Sequence, residues 1–108
     1  MDERTLAALR GSIKKWRAIE EGRGADEGIS NCPLCKEFIT SQCDGCPVDV
    51  ASGGSGCGGT PYDGFYEWNR LRTNAFEVLN PRVHTKGVRL ARAEREFLES
   101  LLPEGEEP

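Results

Sequence analysis

The chain has 108 residues and a mass of 11.9 kDa, which is the size of one small domain. Only 37% of its residues are hydrophobic, and 13 glycines, 6 prolines and 5 cysteines accompany them, so we expect a metal or a cross-link to help hold the fold. The formal net charge of −4 argues against a protein that binds nucleic acid over its whole surface, because such binding depends on Lys and Arg neutralising phosphates.

The start of the chain carries charges on both sides of a short apolar stretch, which is not the continuous apolar centre of a secretion signal. No apolar run approaches the ~20 residues that cross a bilayer. We therefore expect a cytoplasmic protein that does not enter the membrane. In that reducing compartment clustered cysteines bind metal more readily than they form disulfides, and an odd number of them pairs incompletely.

The first predicted element is a helix over residues 3–21. Apolar side chains recur there every three or four residues, which is helical spacing: Leu6, Leu9, Ile13 and Trp16, followed by Ile19 or Glu20. Gly22 and Gly24 end the pattern, as glycine does just past a helix. We expect this stripe to pack onto the rest of the domain, and its spacing would also allow a homodimer through the first helix.

The helical pattern is absent over residues 25–63, where we expect a long loop region without regular structure. This segment contains two Cys-x2-Cys pairs seven residues apart and a fifth cysteine in a glycine-rich stretch: Cys32, Cys35, Cys43, Cys46 and Cys57. Two cysteines separated by two residues can turn both sulfurs toward one ion, and four thiolates at tetrahedral corners suit zinc first and an iron–sulfur cluster second. The pattern therefore predicts a metal centre that organises the loop.

The spacing leaves the ligand set open. Either the two pairs supply all four thiolates, or Cys57 replaces one of them, with Cys43 the first to be replaced. A zinc ion enclosed by four thiolates has no open position for a reactive water, so it would be structural. An iron–sulfur cluster would use the same thiolates, and Cys46-Pro47 matches the Cys-Pro end of ferredoxin motifs, although the rest of the ferredoxin spacing is missing.

His84 is the one histidine of the chain and offers two alternatives. It could serve as the base for a nucleophilic Cys57, or it could be a zinc ligand beside three cysteines. The sequence places no third group to orient such a base, so we expect a surface histidine and no catalytic residues.

A second helix is predicted over residues 60–80. Thr60 and Pro61 form a helix start, with Asp63 in the first turn, and Asn80-Pro81 is expected to end the helix. Its aromatic residues include Trp68, which we interpret, like Trp16, as part of the core or as an interface anchor.

A third helix is predicted from a cap at Thr85 to residue 102, before Pro103. Basic residues recur along one side of it, with Arg95 slightly off line: Arg82, Lys86, Arg89 and Arg92. Such a stripe could follow nucleic-acid phosphates, although nearby glutamates also fit an ordinary solvated face. Residues 103–108 form an acidic tail that we expect to be flexible.

Several sequence motifs carry a resemblance over about residues 10–70. Cys32-Pro33-Leu34-Cys35, Cys43-x2-Cys46-Pro47-Val48 and Cys57-x2-Thr60-Pro61-Tyr62, downstream of a tryptophan-containing helix, resemble small uncharacterised cysteine-rich proteins of bacteriophages and prophages. The resemblance implies a phage-encoded accessory protein acting in the host cytoplasm on a host factor or a defence component. It also implies that Cys57 belongs to the metal site.

These observations predict a mostly α-helical single domain over residues 1–102, with about three helices and a zinc-stabilised, knuckle-like cysteine loop. The predicted function is non-enzymatic binding of a host protein. A nucleic-acid-binding zinc module that uses the basic side of the third helix is the first alternative, and an iron–sulfur protein is the second.

Overall fold

The computed structural model describes residues 1–72 and 81–108, with residues 81–84 described by their backbone alone. These ranges contain no strand; they contain one short 3-10 helix, Gly28–Asn31, and five α-helices: α1 Glu3–Glu20, α2 Pro33–Phe38, α3 Pro47–Ala51, α4 Pro61–Leu71 and α5 Pro81–Ser100. The predicted mostly helical fold class is confirmed. None of the helices in the described ranges has the length and apolar character needed to span a bilayer.

Helix α1 follows the predicted bounds closely. The Asp2 side chain accepts a hydrogen bond of 2.8 Å from the Thr5 backbone N–H and caps the first turn. Gly22 takes a left-handed φ of 78°, which glycine adopts without steric cost, and the chain leaves the helix there.

The expectation that residues 25–63 lack regular structure is wrong, because α2 and α3 lie within them. Both helices begin with a proline at the first position, Pro33 and Pro47, directly after a cysteine. Proline fixes φ at a helical value and needs no amide partner there, so it starts a helix readily. At six and five residues, these helices are too short to show an apolar period in the sequence.

The second predicted helix begins as expected at Pro61 but ends earlier, at Leu71, because Arg72 is extended with φ −79° and ψ 155°. Its predicted remainder over residues 73–80 lies outside the described part of the chain. Thr60 has the backbone conformation of a cap, yet its hydroxyl donates to the carbonyl oxygen of Cys57 at 2.6 Å. Asp63 in the first turn accepts from the Gly59 N–H at 2.8 Å, which ties the residue before the cap to the start of the helix.

The third predicted helix starts five residues too late, because a cap at Thr85 makes residue 86 the first helical residue. Helix α5 begins at Pro81, where the sequence pattern suggested the end of the preceding helix, and it continues to Ser100. A proline after a helical pattern is compatible with a helix end or with a new first turn, and here it opens one. The predicted count of about three helices is too low for the described residues, because it omits α2 and α3. Both of these short helices carry candidate cysteine ligands at their starts.

The core lies where α1, α4 and α5 meet. Leu9 and Ile13 of α1 are almost completely buried, as are Ala91 and Leu98 of α5. Trp16 is 3% exposed and meets Phe65 of α4 in an edge-to-face contact with ring centroids 4.8 Å apart. Trp16 is thus a core residue, and the apolar stripe of α1 is used inside the chain.

Trp68 lies in the contact between α4 and α5. A β-carbon placed on Gly87 of α5 would lie 2.2 Å from the Trp68 indole, so only glycine leaves room for this approach.

The C-terminal tail also returns to the domain, because Arg10 of α1 donates to the Glu107 carbonyl at 2.9 Å and pairs with Glu106.

We predict that Gly87→Ala destabilises the protein by about 1–3 kcal/mol, because the added methyl group must displace the Trp68 ring. Alanine in place of glycine within a helix would otherwise stabilise by about 0.5–1 kcal/mol. Urea unfolding checks the sign. Gly64→Ala is the matched control, since its methyl group would meet only the flexible end of Leu90, at 3.3 Å. Equal or greater stability of Gly87→Ala would contradict the described packing.

Candidate metal centre

All five cysteines line a single cavity of about 240 Å³. They reach it from three places in the chain: the start of α2, the turn before α3, and the glycine-rich loop before α4. The structure thus brings all five candidate ligands to one cavity, while the predicted metal centre stays a prediction.

The first Cys-x2-Cys pair is positioned by the contact between α1 and α2. A β-carbon on Gly11 would lie 3.1 Å from the Pro33 ring, and the buried Ser12 hydroxyl accepts from the Leu34 N–H at 3.3 Å. Small side chains on α1 therefore let α2 approach closely. This places Cys32, the cap residue of α2, at the cavity, where its sulfur accepts from the Cys35 N–H at 3.2 Å.

The surroundings of Cys32 favour its thiolate form. The hydrogen bond from the Cys35 thiol lowers the pKa of Cys32 to about 6, with help from backbone N–H groups and the Lys15 ammonium. The same hydrogen bond raises the pKa of Cys35, which therefore keeps its proton while Cys32 is ionised. Since thiolates are the form that binds metal, Cys32 has the more suitable protonation state for a ligand, and Cys35 would have to lose its proton to become one.

The second Cys-x2-Cys pair lies in a tight turn with unusual backbone conformations. Gln42 and Cys43 have φ values of 54° and 73°, a left-handed conformation that costs energy for residues other than glycine. The Cys46 N–H then donates to the Cys43 carbonyl at 3.0 Å, which closes the turn. Cys46 is buried and burial raises the pKa of its thiol. Strain of this kind is typical of functional segments.

Cys57 is exposed as a residue, yet it lines the same cavity. Hydrogen bonds fix the loop that carries it, in spite of its glycines. Asp49 accepts from the Gly56 N–H at 2.8 Å, and the Ser52 hydroxyl donates to the Gly56 carbonyl at 2.9 Å. The loop thus holds the fifth thiol at the wall of the cavity that the other four cysteines line.

A buried ion pair also lines the cavity. The Lys15 ammonium lies 2.8 Å from Asp26 Oδ1, and the two side chains are 9% and 4% exposed. Tyr62 donates its hydroxyl to Asp26 Oδ2 at 2.8 Å, and the Gly28 N–H donates to Oδ1 at 3.1 Å. Burial opposes ionisation, but the bonds from Lys15 and Tyr62 hold the pKa of Asp26 below its usual value.

Glu94 of α5 contributes a carboxyl group to the cavity wall. The residue is 4% exposed, and its Oε1 has no hydrogen-bond partner among the described residues. Burial raises the pKa of Glu94 to about 7, against the opposing attraction of Lys15. A buried carboxyl oxygen without a partner costs free energy, so its place beside the thiols suggests that something else meets it.

Sequence reasoning missed Lys15, Asp26 and Glu94. A signal existed for Glu94, since it shares the helical spacing of the buried Ala91 and Leu98 and therefore falls on the apolar side of α5. Within residues 1–72 and the described part of α5, no three histidine, cysteine, aspartate or glutamate side chains form a group that could hold a metal ion as they stand.

The predicted basic stripe is partly engaged inside the chain. Glu20 of α1 accepts from Arg92 at 2.6 Å and from Arg95 at 2.5 Å, so these two residues join α5 to α1. Lys86 and Arg89 are exposed. The side chains of Arg82 and His84 lie outside the described part of the chain, and the alternatives built on them stay predictions.

Comparison with known proteins gives no match to a family model, to a curated protein or to a solved structure. The function is therefore argued from the site itself.

We predict that Asp26→Asn destabilises the protein by about 3–5 kcal/mol, because it leaves the buried Lys15 ammonium without its counter-charge. Glu67→Gln, which removes the exposed pair with Arg70, is the control and should cost less than about 1 kcal/mol. Because the pKa of Asp26 is lowered from 3.8 in the folded protein, its contribution is fully present above pH 3.8 and is lost as the pH falls through the lower, folded-state pKa. Equal unfolding midpoints for both variants at pH 7 would contradict the buried pair.

Proposed function

We propose that this chain is a non-enzymatic binding protein whose cysteines hold a metal centre, and that the centre shapes a surface for a protein partner. The observation that carries the proposal is the convergence of all five cysteines on one cavity. Zinc is the ion that the sequence predicts, and an iron–sulfur cluster would use the same thiolates.

The donor set fits such a centre. Four of the five thiols suffice for a tetrahedral shell, and the Cys32 sulfur already accepts a backbone N–H bond of the kind that stabilises a thiolate ligand. When bound, the metal links the starts of α2 and α3 with the loop before α4. The chain's own residues orient the ligands: Gly11 and Ser12 seat the first pair, and Asp49 and Ser52 hold the loop of Cys57.

A second observation supports a protein partner. Three large apolar residues of the cysteine-rich segment are more than half exposed: Ile29 at 58%, Ile39 at 52% and Val50 at 71%. Exposed apolar side chains beside a rigid centre are typical of protein interfaces. The resemblance to phage cysteine-rich proteins favours a host protein as that partner, with a defence component as one class of candidate.

We predict that Cys32→Ser and Cys35→Ser each lower metal affinity, because each removes a direct ligand. The loss should exceed the roughly 10–100-fold that follows removal of a group that only orients a ligand. The central segment should also lose protection, because metal binding and folding are coupled there. Elemental analysis and amide hydrogen exchange measure the two effects, with the exposed Ser30→Ala as control. Full metal content and full protection in either cysteine variant would refute this ligand assignment.

We predict that Val50→Asp and Ile39→Asp abolish capture of a protein that the unmodified chain retains from host lysate. Each change places a charge on the proposed apolar contact surface without altering the core. Lys14→Asp, an exposed change on α1, is the control and should retain the same protein. If all three variants captured identical proteins while remaining folded by circular dichroism, this surface would not be the interface.

A further inference from the structure

The backbone between Cys32 and Cys35 is fixed against α1. Leu34 is 3% exposed, and its N–H donates to the buried Ser12 hydroxyl at 3.3 Å. The ring of Pro33 restricts the backbone further, because it fixes φ. These residues form one turn of helix, in which side chains three positions apart lie next to each other. The two thiols of this pair can therefore meet without any rearrangement of the backbone.

The two thiols contact each other through a hydrogen bond. The Cys35 thiol donates to the Cys32 sulfur, and the Cys35 N–H donates to the same sulfur at 3.2 Å. Both bonds stabilise negative charge on Cys32, which makes its sulfur the better nucleophile. A nucleophilic sulfur with a second thiol in contact is the arrangement that thiol–disulfide exchange requires, because the second thiol can displace whatever group the first has captured.

The first pair is also easier to reach than the second pair. Cys32 and Cys35 are both partly exposed, whereas Cys46 of the second pair is 7% exposed. Exchange begins when a sulfur attacks an incoming disulfide, so access limits its rate. The first pair therefore combines an accessible nucleophile with a second thiol already in place.

We propose that Cys32 and Cys35 form a reversible dithiol–disulfide pair that exchanges with small disulfides of the glutathione class, and that the disulfide form releases the metal. Oxidation of this pair leaves three of the five thiols, which is fewer than a closed tetrahedral shell of thiolates requires. The exchange goes beyond the proposed metal centre, whereas the release of metal rests on it.

The exchange needs no oxidant other than the small disulfide. The Cys32 sulfur attacks one sulfur of that disulfide, the S–S bond breaks, and one thiolate leaves. The Cys35 thiol gives its proton to the leaving thiolate, and its sulfur attacks Cys32 and releases the second small thiol. Two cysteine thiols are oxidised to one disulfide, and one small disulfide is reduced to two thiols.

Proteolysis with trypsin separates the two pairs and makes the exchange measurable on the full chain. Cleavage at lysine and arginine gives one peptide, residues 24–36, that contains Cys32 and Cys35, and a second, residues 37–70, that contains the other three cysteines. The reduced chain is mixed with oxidised glutathione, alkylated at intervals, digested and analysed by mass spectrometry. Peptide 24–36 should form its internal disulfide at least about tenfold faster than peptide 37–70 is oxidised, because its second step joins two sulfurs already in contact.

Reduced glutathione should then restore both thiols of peptide 24–36. Oxidation of this peptide at the same rate as peptide 37–70, or more slowly, would overturn the proposed exchange. A disulfide that reduced glutathione does not reverse would overturn it as well.

Single variants test the roles of the two thiols. Cys35→Ser should keep glutathione on Cys32 as a stable mixed disulfide, because the thiol that displaces it is missing. Cys32→Ser should capture at least about tenfold less glutathione on Cys35, because it lacks the sulfur that accepts both hydrogen bonds. A merely structural role would not produce this difference. Equal capture by the two variants would contradict the assigned roles, and the peptides of the unmodified chain test the exchange even if a variant unfolds.

Metal content, measured on the same samples of unmodified chain, tests the release. Metal should be lost in proportion to the disulfide in peptide 24–36 and should stay bound in reduced glutathione alone. Full metal content together with a complete disulfide would overturn the release. A reduced, folded chain without metal would refute the proposed centre and the release with it, while the peptide masses decide the exchange independently.

Discussion

The packing of α1 against two different partners is the constraint on which this structure depends. Leu9, Ile13 and Trp16 join α1 to the core, while Gly11 and Ser12 let α2 lie against the same helix. Because α2 begins with Cys32, the core and the cysteine cavity share one support. A change that moves α1 therefore acts on both at once.

The cavity concentrates polar groups that a small apolar core cannot easily accommodate. The Lys15–Asp26 pair balances its own charge, whereas Glu94 Oε1 has no hydrogen-bond partner among the described residues. An unsatisfied buried polar group costs about 1–3 kcal/mol. Binding of a metal by the thiolates, as proposed above, would contribute on the order of 10 kcal/mol, which exceeds several such costs and would favour an ordered central segment.

The sequence was most informative where local chemistry determines structure. The stripe of α1, the Thr60-Pro61 start of α4 and the grouping of the cysteines all follow from residue type and spacing. Helices α2 and α3 escaped detection because an element of five or six residues shows no periodicity. Pro81 was ambiguous, since proline can follow one helix or begin another.

The residues that form the cavity wall could not be predicted from the sequence in the same way. Lys15, Asp26 and Glu94 come from three segments that approach one another only in the fold. Glu94 alone gave a hint, as an acid at an apolar position of α5. The cavity itself is a property of the packing and of no single residue.

X-ray absorption at the metal edge, on protein purified from cells without added metal, tests the central claim most directly. A cysteine-held centre predicts a first shell made of sulfur at about 2.3 Å. A first shell of oxygen or nitrogen alone, or a folded protein with no bound metal, would contradict it.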